Sequence, residues 1–286
     1  MRSHLPAWVQ PLLVIGSFAV LFVIELARPL RRAVESKLRR TGRNLTVAGL
    51  GLATVAILQT PILMPVSLWT MRHRFGLLNW AGARGAIRVL AVVLLLDYTL
   101  WLWHRLNHTV PFLWRFHRVH HVDRDMDVST GVRFHFGELG LAVFVRALQI
   151  AVIGADPVSV AVFQTLLFAS VLFHHSNIRL PIWIEKRLVR LIVTPRMHGI
   201  HHSAIQGESD SNWSSLLSIW DYLHRTAKLD VPQRHVTIGV FGYPNPEDVT
   251  LPKILVLPAR TLGEDWPGSA LSQPARGLGL PAVLAE

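Results

Sequence analysis

Three stretches decide the fold of this chain: His104-Arg-Leu-Asn-His108, His117-Arg-Val-His120-His121 and His198-Gly-Ile-His201-His202. On a helix, residues three or four apart lie on one face, so each stretch presents two or three imidazoles together. A single histidine is more often a satisfied core residue than a ligand. Two H-x-x-H-H groups are expected by chance on the order of 0.001 times at this composition. Because imidazole is the commonest protein ligand for transition metals, the repetition predicts a multi-histidine metal site.

The composition is that of a membrane protein. Of the 286 residues, 51% are hydrophobic and 16% are charged, with a mean hydropathy of +0.35. The chain has no cysteine, which excludes disulfides, iron–sulfur clusters, thiolate-ligated haem and cysteine zinc sites. The net charge is +11, but the basic residues mostly flank apolar runs, as the positive-inside rule expects. We therefore expect no nucleic-acid partner.

Three apolar runs, at residues 11–27, 45–70 and 87–103, predict the first membrane helices. The middle run is weakened by Gln59-Thr60-Pro61. The densest basic cluster, residues 28–43, follows the first run, and such loops are normally cytoplasmic. We therefore predict an N-terminus outside and, after two more crossings, His104 at the cytoplasmic end of the third helix.

Two further apolar runs lie on either side of Gly154-Ala-Asp156-Pro157, which is a strong turn signal. A hairpin there brings the third histidine stretch back to the side of the first two. Residues 182–194 have the spacing of a helix lying on the membrane surface. The sequence thus predicts an all-α integral membrane bundle with a cytoplasmic histidine-rich helical cap. We expect residues 1–230 to form one domain that holds the histidine stretches, and residues 231–286 to form a Pro/Gly-rich C-terminal tail, surface-packed or partly disordered and without chemistry.

Asp97 is an ionisable residue inside the third span, seven positions before His104. Such groups are costly in hydrocarbon and usually functional. One interpretation is a carboxylate that holds a ligand histidine by its other ring nitrogen, and the alternative is a polar group buried against a neighbouring helix.

Two further groups lie near the histidines. Trp101, Trp103 and Trp114 fit an aromatic belt at the water boundary better than a substrate contact. The acidic residues Asp123, Asp125, Asp127 and Glu138 could bridge or orient metals, but Asp123 and Asp125 fit solvated loop positions or helix caps better.

Together these residues resemble the sterol desaturase/fatty acid hydroxylase superfamily of membrane di-iron oxygenases, and within it the bacterial members close to alkylglycerol monooxygenase. The resemblance covers roughly residues 10–230. The matching stretches are Asp97-Tyr98, Trp103–His108, Leu113–His121, Arg133–His135, His175–Ile178, Thr194–Ser203, Asn212 and Trp220-Asp221.

Three positions depart from the family pattern. Phe136 stands where Pro is usual, and Trp213 where Tyr is usual. The run Leu223-His224-Arg225-Thr226 replaces a Leu-Phe-Gly-Thr ending. These departures leave every box histidine in place and bear on loop geometry and substrate fit.

The resemblance implies a set of metal ligands: His104, His108, His117, His120, His121, His175, His198, His201 and His202, with His135 as a tenth candidate. It also implies a supporting set made of Asp97, Asn177 and Asp221, with no catalytic residue beyond the metal ligands. His174 is interpreted as a neighbour, because the family histidine directly precedes Ser-Asn.

The implied cofactors are two iron ions, with zinc as a substitute in purified protein, and O2 as co-substrate. The implied reaction hydroxylates or desaturates a C–H bond of a lipid with two electrons. No flavin, haem or nicotinamide motif is visible in the sequence, so we expect an external donor of the reductase, ferredoxin or cytochrome type. The implied location is the bacterial inner membrane.

Two other functions remain open. A zinc-dependent intramembrane hydrolase needs a carboxylate base beside a histidine box, as in H-E-x-x-H, and no box here contains Glu. A metal transporter or sensor would have ligands spread along the spans. The sequence leaves open whether a sterol, fatty acyl, ether lipid or carotenoid chain is the substrate.

Overall fold

The computed structural model describes residues 9–262 and 265, and this part of the chain is helical. The helices are α1 (Val9–Ala27), α2 (Lys37–Arg72), α3 (Leu77–Trp80), α4 (Gly85–Thr109), α5 (Pro111–His121), α6 (Phe136–Ile153), α7 (Pro157–His175), α8 (Ile182–Leu188), α9 (Pro195–His201), α10 (Gln206–Ser209), α11 (Ile219–Leu223) and α12 (Leu251–Val256), with 3-10 turns between some of them. Only isolated β-bridges occur within the described ranges. The all-α prediction is confirmed.

Four helical segments are long and apolar enough to cross a membrane: α2 continuing into α3, α4, α6 and α7. Their outward faces carry large apolar side chains. Ile57 is 70% exposed, Ile87 is 75% exposed and Val158 is 68% exposed. Exposed apolar area of this extent is unfavourable in water and favourable against lipid tails. The helices therefore form a membrane bundle, as the composition indicated.

The second predicted span differs from the structure in its bounds. Instead of a run over 45–70 weakened at its middle, α2 is one helix of 36 residues that contains Pro61 and Pro65. Proline removes a backbone hydrogen bond and usually kinks or ends a helix in water. Within a membrane bundle, neighbouring helices allow it.

The interior of the bundle is formed by α4, α6 and α7 with part of α2. Val92 and Leu96 of α4 meet Ile150 of α6 and Phe163 of α7, and all four side chains are fully buried. Lipid tails are as apolar as these side chains, so close packing rather than transfer out of water holds the helices together.

The hairpin between α6 and α7 forms at the predicted turn. Gly154 ends α6 with a φ of 73°, and Asp156 caps α7 by accepting a hydrogen bond from the backbone N–H of Ser159. Gly76, with a φ of 98°, packs its backbone directly against Gly154. A Cβ atom at residue 76 would lie within 2.6 Å of backbone atoms of Ala151 and Gly154.

We expect Gly76→Ala to lower the free energy of unfolding by at least about 2 kcal/mol, because it adds left-handed strain and a backbone collision at once. The thermal unfolding midpoint of the detergent-solubilised protein measures this. Gly82→Ala is the matched control, since residue 82 has a φ of 66° but nothing within 4 Å of its Cβ position. Equal midpoints for the two variants would contradict the packing argument.

The ends of α1, α4 and α7 and the start of α6 lie at one end of the bundle. The end of α1 is fixed to the end of α7 by backbone hydrogen bonds from Leu30 to Asn177 and from Arg179 to Arg28, of 2.8 and 2.9 Å. The histidine-bearing helices α5 and α9 lie at this same end, in contact with α4 and α7 respectively. The predicted histidine-rich cap at one end of the bundle is confirmed.

The structure corrects the bounds of the predicted surface helix and describes part of the predicted tail. The helix expected over 182–194 ends at Leu188, because the following residues turn so that Ile192 pairs with Leu217 in a β-bridge. The described part of the predicted tail is packed against the cap. Its apolar residues Val240, Tyr243, Val249, Ile254 and Leu257 form one core cluster with Val47, Trp114, Val119 and Val122.

Candidate metal centre

Nine of the ten predicted histidine ligands converge in two groups. Within each group, one ligand nitrogen from every member lies within 4.8 Å of the others. The first group is His104, His108, His117, His121 and His201, and the second is His120, His175, His198 and His202. All nine imidazoles are enclosed by the protein. The three stretches that the sequence singled out therefore meet in one place.

The H-x-x-H-H spacing distributes ligands to both groups. On α5, His117 and His121 are four residues apart and face the first group, whereas His120 faces the second. The α9 stretch does the same, with His201 in the first group and His198 and His202 in the second. The groups are adjacent because α5 and α9 contribute to both.

Hydrogen bonds from Nδ1 fix the orientation of five rings. The partners are the backbone oxygens of Trp213 for His104 (2.8 Å), Arg133 for His120 (3.2 Å), Val171 for His175 (2.8 Å) and Ser211 for His201 (2.7 Å), and the Glu138 carboxylate for His117 (2.7 Å). Carbonyl and carboxylate oxygens only accept, so Nδ1 carries the proton in these rings. Each neutral ring then presents a bare Nε2, which is the arrangement of a metal-ligating histidine.

The spacing between bare nitrogens fits a shared metal ion. Nε2 of His120 lies 3.0 Å from Nε2 of His175, and Nε2 of His198 lies 3.0 Å from the same atom of His175. Two bare lone pairs at this distance repel each other unless a cation lies between them. Two nitrogens each roughly 2.1 Å from one ion and at a right angle to each other lie about 3 Å apart. The second group therefore has the donor set and spacing of a metal site.

Burial keeps the cap histidines neutral at ordinary pH. Removal from water lowers the pKa of His120, His121, His198 and His202 well below 6.5, and neighbouring histidines lower it further. The pKa of His201 is lowered by burial to about 3. Metal ligands must be deprotonated, so the folded cap needs no proton release from these rings before a metal binds.

His135 lies outside both groups. Its Nδ1 accepts from the backbone N–H of Gly137 at 3.0 Å and caps α6, and its Nε2 lies 3.2 Å from the backbone oxygen of Leu255. The structure thus gives this tenth candidate a helix-capping role. His174 is also outside the groups and stacks on His198 with ring centres 4.2 Å apart.

The predicted supporting residues act less directly than expected. Asp97 contacts no histidine, contrary to the interpretation as a ring-orienting carboxylate. Its Oδ2 accepts from the backbone N–H of Leu217 (3.1 Å) and from Nε1 of Trp220 (2.7 Å). It therefore fixes the segment before α11. Asn177 exchanges hydrogen bonds of 2.9 Å with the backbone of Arg31 and likewise touches no ligand.

Asp221 supports a ligand through one intermediate. Its carboxylate accepts from the backbone N–H groups of Trp213 and Ser214, at 3.0 and 2.9 Å. The backbone oxygen of Trp213 in turn holds His104. This completely buried carboxylate therefore positions His104 through the 213–214 backbone.

Glu138 contacts a histidine of the first group directly, although it is not one of the predicted supporting residues. It lies in the first turn of α6, and its Oε1 accepts from Nδ1 of His117 at 2.7 Å. A carboxylate on the far nitrogen raises the basicity of a ligand imidazole and fixes its tautomer. The sequence signal for Glu138 is its position at the start of a helix, three residues after His135.

We expect Glu138→Ala to weaken metal binding about 10- to 100-fold, because His117 loses the partner that fixes its ring. Competition of Fe²⁺ or Co²⁺ with a chelator of known affinity measures this. Glu138→Gln retains an acceptor oxygen for Nδ1 and is the matched control, with a smaller loss. Unchanged affinity in Glu138→Ala would exclude this positioning role.

Two further expectations from the sequence are wrong. Trp101 and Trp114 are 1% and 6% exposed, so they do not face the headgroups as an aromatic belt. Asp123 is completely buried and is not a solvated loop residue. It forms an ion pair of 2.7 Å with Arg40 of α2 and a second ion pair with Arg133. These charged groups lie next to the second histidine stretch.

Comparison with known proteins finds one family match. Residues 89–226 match the model of the fatty acid hydroxylase family. This range includes both histidine groups. No solved structure matches this chain at a significant level.

Several characterised proteins are similar over part of their length. The ornithine lipid hydroxylase OlsE of Rhizobium tropici is 30% identical over 162 residues, covering 55% of this chain and 46% of that protein. The cholesterol 25-hydroxylase of Mus musculus is 29% identical over 143 residues, covering 49% and 46%. The alkylglycerol monooxygenase of Homo sapiens is 23% identical over 137 residues, covering 46% and 28%. The matched region thus spans less than half of each of these relatives.

Proposed function

Because residues 89–226 place this chain in the fatty acid hydroxylase family, within the sterol desaturase/fatty acid hydroxylase superfamily, we propose that it is a membrane-bound di-iron enzyme that hydroxylates a C–H bond of a lipid. O2 is the co-substrate, and two electrons are consumed per turnover. The observation that carries the proposal is the pair of adjacent histidine groups at one end of an apolar bundle.

The ligand chemistry is compatible with bound iron. Both groups consist of neutral imidazoles, which suit iron, copper and zinc and leave the bound ions with their full positive charge. Two iron ions, when bound, would supply the redox chemistry that activates O2 toward an unactivated C–H bond.

The residues of the chain hold the ligands and exclude water. Glu138 and the backbone oxygens of Trp213 and Ser211 orient rings of the first group. Phe134 stacks on His120 with ring centres 4.4 Å apart and planes 13° apart, and so covers one ring of the second group. A closed site of this kind holds reactants in a fixed geometry and limits side reactions with water.

The substrate class follows from the membrane bundle and the relatives. The relatives act on an ornithine lipid, on cholesterol and on alkylglycerols, as their names state. We assign this chain a lipid substrate that enters from the bilayer, and hydroxylation as the reaction. The electron donor is an external reductase, ferredoxin or cytochrome.

The orientation is assigned from charge. The histidine end carries the basic segment 28–43, which consists of the connection from α1 and the first two turns of α2. The opposite end carries Arg72, Arg74, Arg84 and Arg88. The positive-inside rule then puts the histidine cap on the cytoplasmic side of the membrane, which we propose is a bacterial inner membrane. We take α1 as a further crossing beside the four long apolar segments, which puts the N-terminus outside.

The test compares lipid extracts of bacterial cells with and without this protein, grown under ¹⁸O2, by mass spectrometry. We expect at least one lipid that gains a single labelled oxygen only in cells that express the protein. A variant with a ligand removed, His198→Ala, is the control that should lose the product. An unlabelled product, or zinc in place of iron with no O2 uptake, would reject the oxygenase.

The zinc hydrolase alternative is not favoured by the site. The carboxylate nearest to a box, Glu138, bonds Nδ1 of His117, whereas Nε2 of that ring faces His121 at 3.2 Å. Glu138 is thus on the side of the ring away from the ligand nitrogens, where it orients the imidazole and cannot act as a base toward a metal-bound water.

A further inference from the structure

We propose that Trp213, Trp101 and Tyr98 form a relay that carries an oxidising equivalent from the metal centre to the protein surface when no lipid is in place. The proposal rests on the proposed oxygenase function, because only an oxidising metal centre would need such an exit. Indole and phenol are the protein side chains that lose an electron most readily among those buried here.

The three rings form a continuous path. The Trp213 and Trp101 ring centres are 6.2 Å apart, and those of Trp101 and Tyr98 are 6.1 Å apart with planes within 4°. His224 stacks on Trp101 at 4.1 Å and lies 5.7 Å from Tyr98. His224 is exposed and Tyr98 is half-buried, so the outer end of the path reaches the surface.

The inner end of the path reaches two ligands. The backbone oxygen of Trp213 accepts from Nδ1 of His104 at 2.8 Å, which gives a hydrogen-bonded connection to the first histidine group. The Trp213 ring also lies 6.4 Å from the His108 ring. Trp213 is therefore the indole positioned to exchange an electron with that group.

Two charged residues set the redox behaviour of the relay. Nε1 of Trp101 donates to Oδ1 of Asp221 at 3.0 Å, so the proton of an oxidised indole has an acceptor already in contact. The Arg105 guanidinium carbon lies 5.8 Å from the Trp101 ring centre and 5.5 Å from that of Trp213. A nearby cation disfavours a positively charged indole. Only a strong oxidant should therefore withdraw an electron from Trp101 or Trp213.

Each transfer along the relay moves one electron and leaves no charge or proton unaccounted for. One electron leaves the indole of Trp213 and reduces the metal centre, and one electron from Trp101 restores Trp213. The Nε1 proton of Trp101 moves to Asp221, which leaves a neutral indolyl radical. An electron from Tyr98 then restores Trp101 as the proton returns from Asp221, and the phenolic proton of Tyr98 passes to water at the exposed end. A water-soluble donor of the ascorbate class restores Tyr98 with one electron and one proton. Without such a donor, an indolyl radical on the path takes up O2 to form a peroxyl radical. One electron from the reductant used to reduce the iron, with one proton from water, converts it to a hydroperoxide, which leaves the side chain oxygenated.

Two positions where the sequence departs from its family lie on this path. Trp213 replaces the usual Tyr, and His224 replaces a usual Phe. Arg225, in place of a usual Gly, has a φ of 57°, a conformation that glycine adopts without strain. The backbone that carries His224 therefore keeps the shape that the family glycine favours.

The experiment uses the full iron-loaded chain in detergent micelles without added lipid. The protein is reduced, exposed to O2 without ascorbate, and digested, and oxygenated Trp and Tyr residues are mapped by mass spectrometry. We expect oxygenation at Trp101, Trp213 or Tyr98 to exceed that at Trp183 several-fold. Because Trp183 is 60% exposed and Trp101 only 1%, a diffusing oxidant would give the opposite order.

Variants test the path itself. Trp213→Phe should lower oxygenation at Trp101 and Tyr98 several-fold, whereas Trp213→Tyr keeps a phenol in the path and should restore it. Trp101→Phe interrupts the path at a second position and should lower oxygenation at Tyr98. Trp69→Phe, away from the path, should change nothing.

The outcomes separate the relay from the proposed function. Lipid hydroxylation together with side-chain oxygenation that follows exposure overturns the relay and leaves the oxygenase in place. The absence of O2 uptake and of any oxygenation in the iron-loaded protein overturns both. Ascorbate should suppress the oxygenation at Trp101 in the wild-type chain, and oxygenation there that ascorbate leaves unchanged counts against the relay.

Discussion

His120→Ala should lose one of the two metal ions and at least about 99% of the hydroxylation activity. Changes to outer-shell partners alone typically cost about 10- to 100-fold, so removal of a direct ligand should cost at least as much. His120 is one of only four histidines in its group, and its Nε2 lies 3.0 Å from that of His175. Elemental analysis of purified protein and product formation with a reconstituted electron donor measure the two effects.

His135→Ala is the matched control for this result. Both residues are histidines close to the same cap, but only His120 belongs to a group. We expect His135→Ala to keep both ions, with a stability loss of about 1 kcal/mol from the missing helix cap. Loss of a metal ion in His135→Ala would mean that the tenth candidate is a ligand after all and that the grouping described above is incomplete.

Arg118→Met should lower the free energy of unfolding by about 3–5 kcal/mol, because it leaves Asp265 as a buried charge without its partner. Arg118 is completely buried on α5 between His117 and His120. Its guanidinium pairs with Asp265 at 2.7 Å and donates to the backbone oxygens of Leu257 (2.5 Å), Arg260 (2.8 Å) and Thr261 (3.0 Å). Thermal unfolding in detergent, with and without iron, measures the loss.

A nearby arginine supplies the control. Arg115 also donates to the segment after α12, to the backbone oxygens of Pro258 and Arg260, but among residues 9–262 and 265 it has no buried carboxylate partner. Arg115→Met should cost less than about 1 kcal/mol. Asp265→Asn in the Arg118→Met background should restore part of the stability, since it removes the uncompensated charge. Equal effects of Arg115→Met and Arg118→Met would show that the ion pair contributes nothing.

The histidine cap was predictable from the sequence because its signal is local. The H-x-x-x-H and H-x-x-H-H spacings fix which rings share a helix face, and the turn at residues 154–157 fixes that the third box returns to the first two. The division into a group of five and a group of four did not follow from spacing. It depends on how α5 and α9 face each other, and only the tertiary structure contains that information.

The supporting contacts were predicted poorly because they join residues far apart in the chain. Glu138 and His117 are 21 residues apart, and Trp101 and Asp221 are 120 apart. Asp97 was correctly singled out as a buried charge, but its partners, Leu217 and Trp220, lie on a segment whose position is set by long-range packing. Local patterns identify which residues carry chemistry, and they do not identify which residues hold them in place.

The length of α2 bears on where along a lipid the proposed enzyme would act. A helix of 36 residues is roughly 54 Å long, about 24 Å more than the hydrocarbon thickness of a bilayer. One face of its first third is buried against the cap, through Arg40, Asn44 and Val47, and most of the remainder is exposed along the bundle. Because α2 runs without a break from the cap along the bundle, its position in the bilayer determines the height of the candidate metal centre above the midplane. The proposed enzyme would then hydroxylate the lipid carbon that lies at the depth of the metal centre in the bilayer. A thicker bilayer should shift the hydroxyl group to a different carbon of the lipid chain.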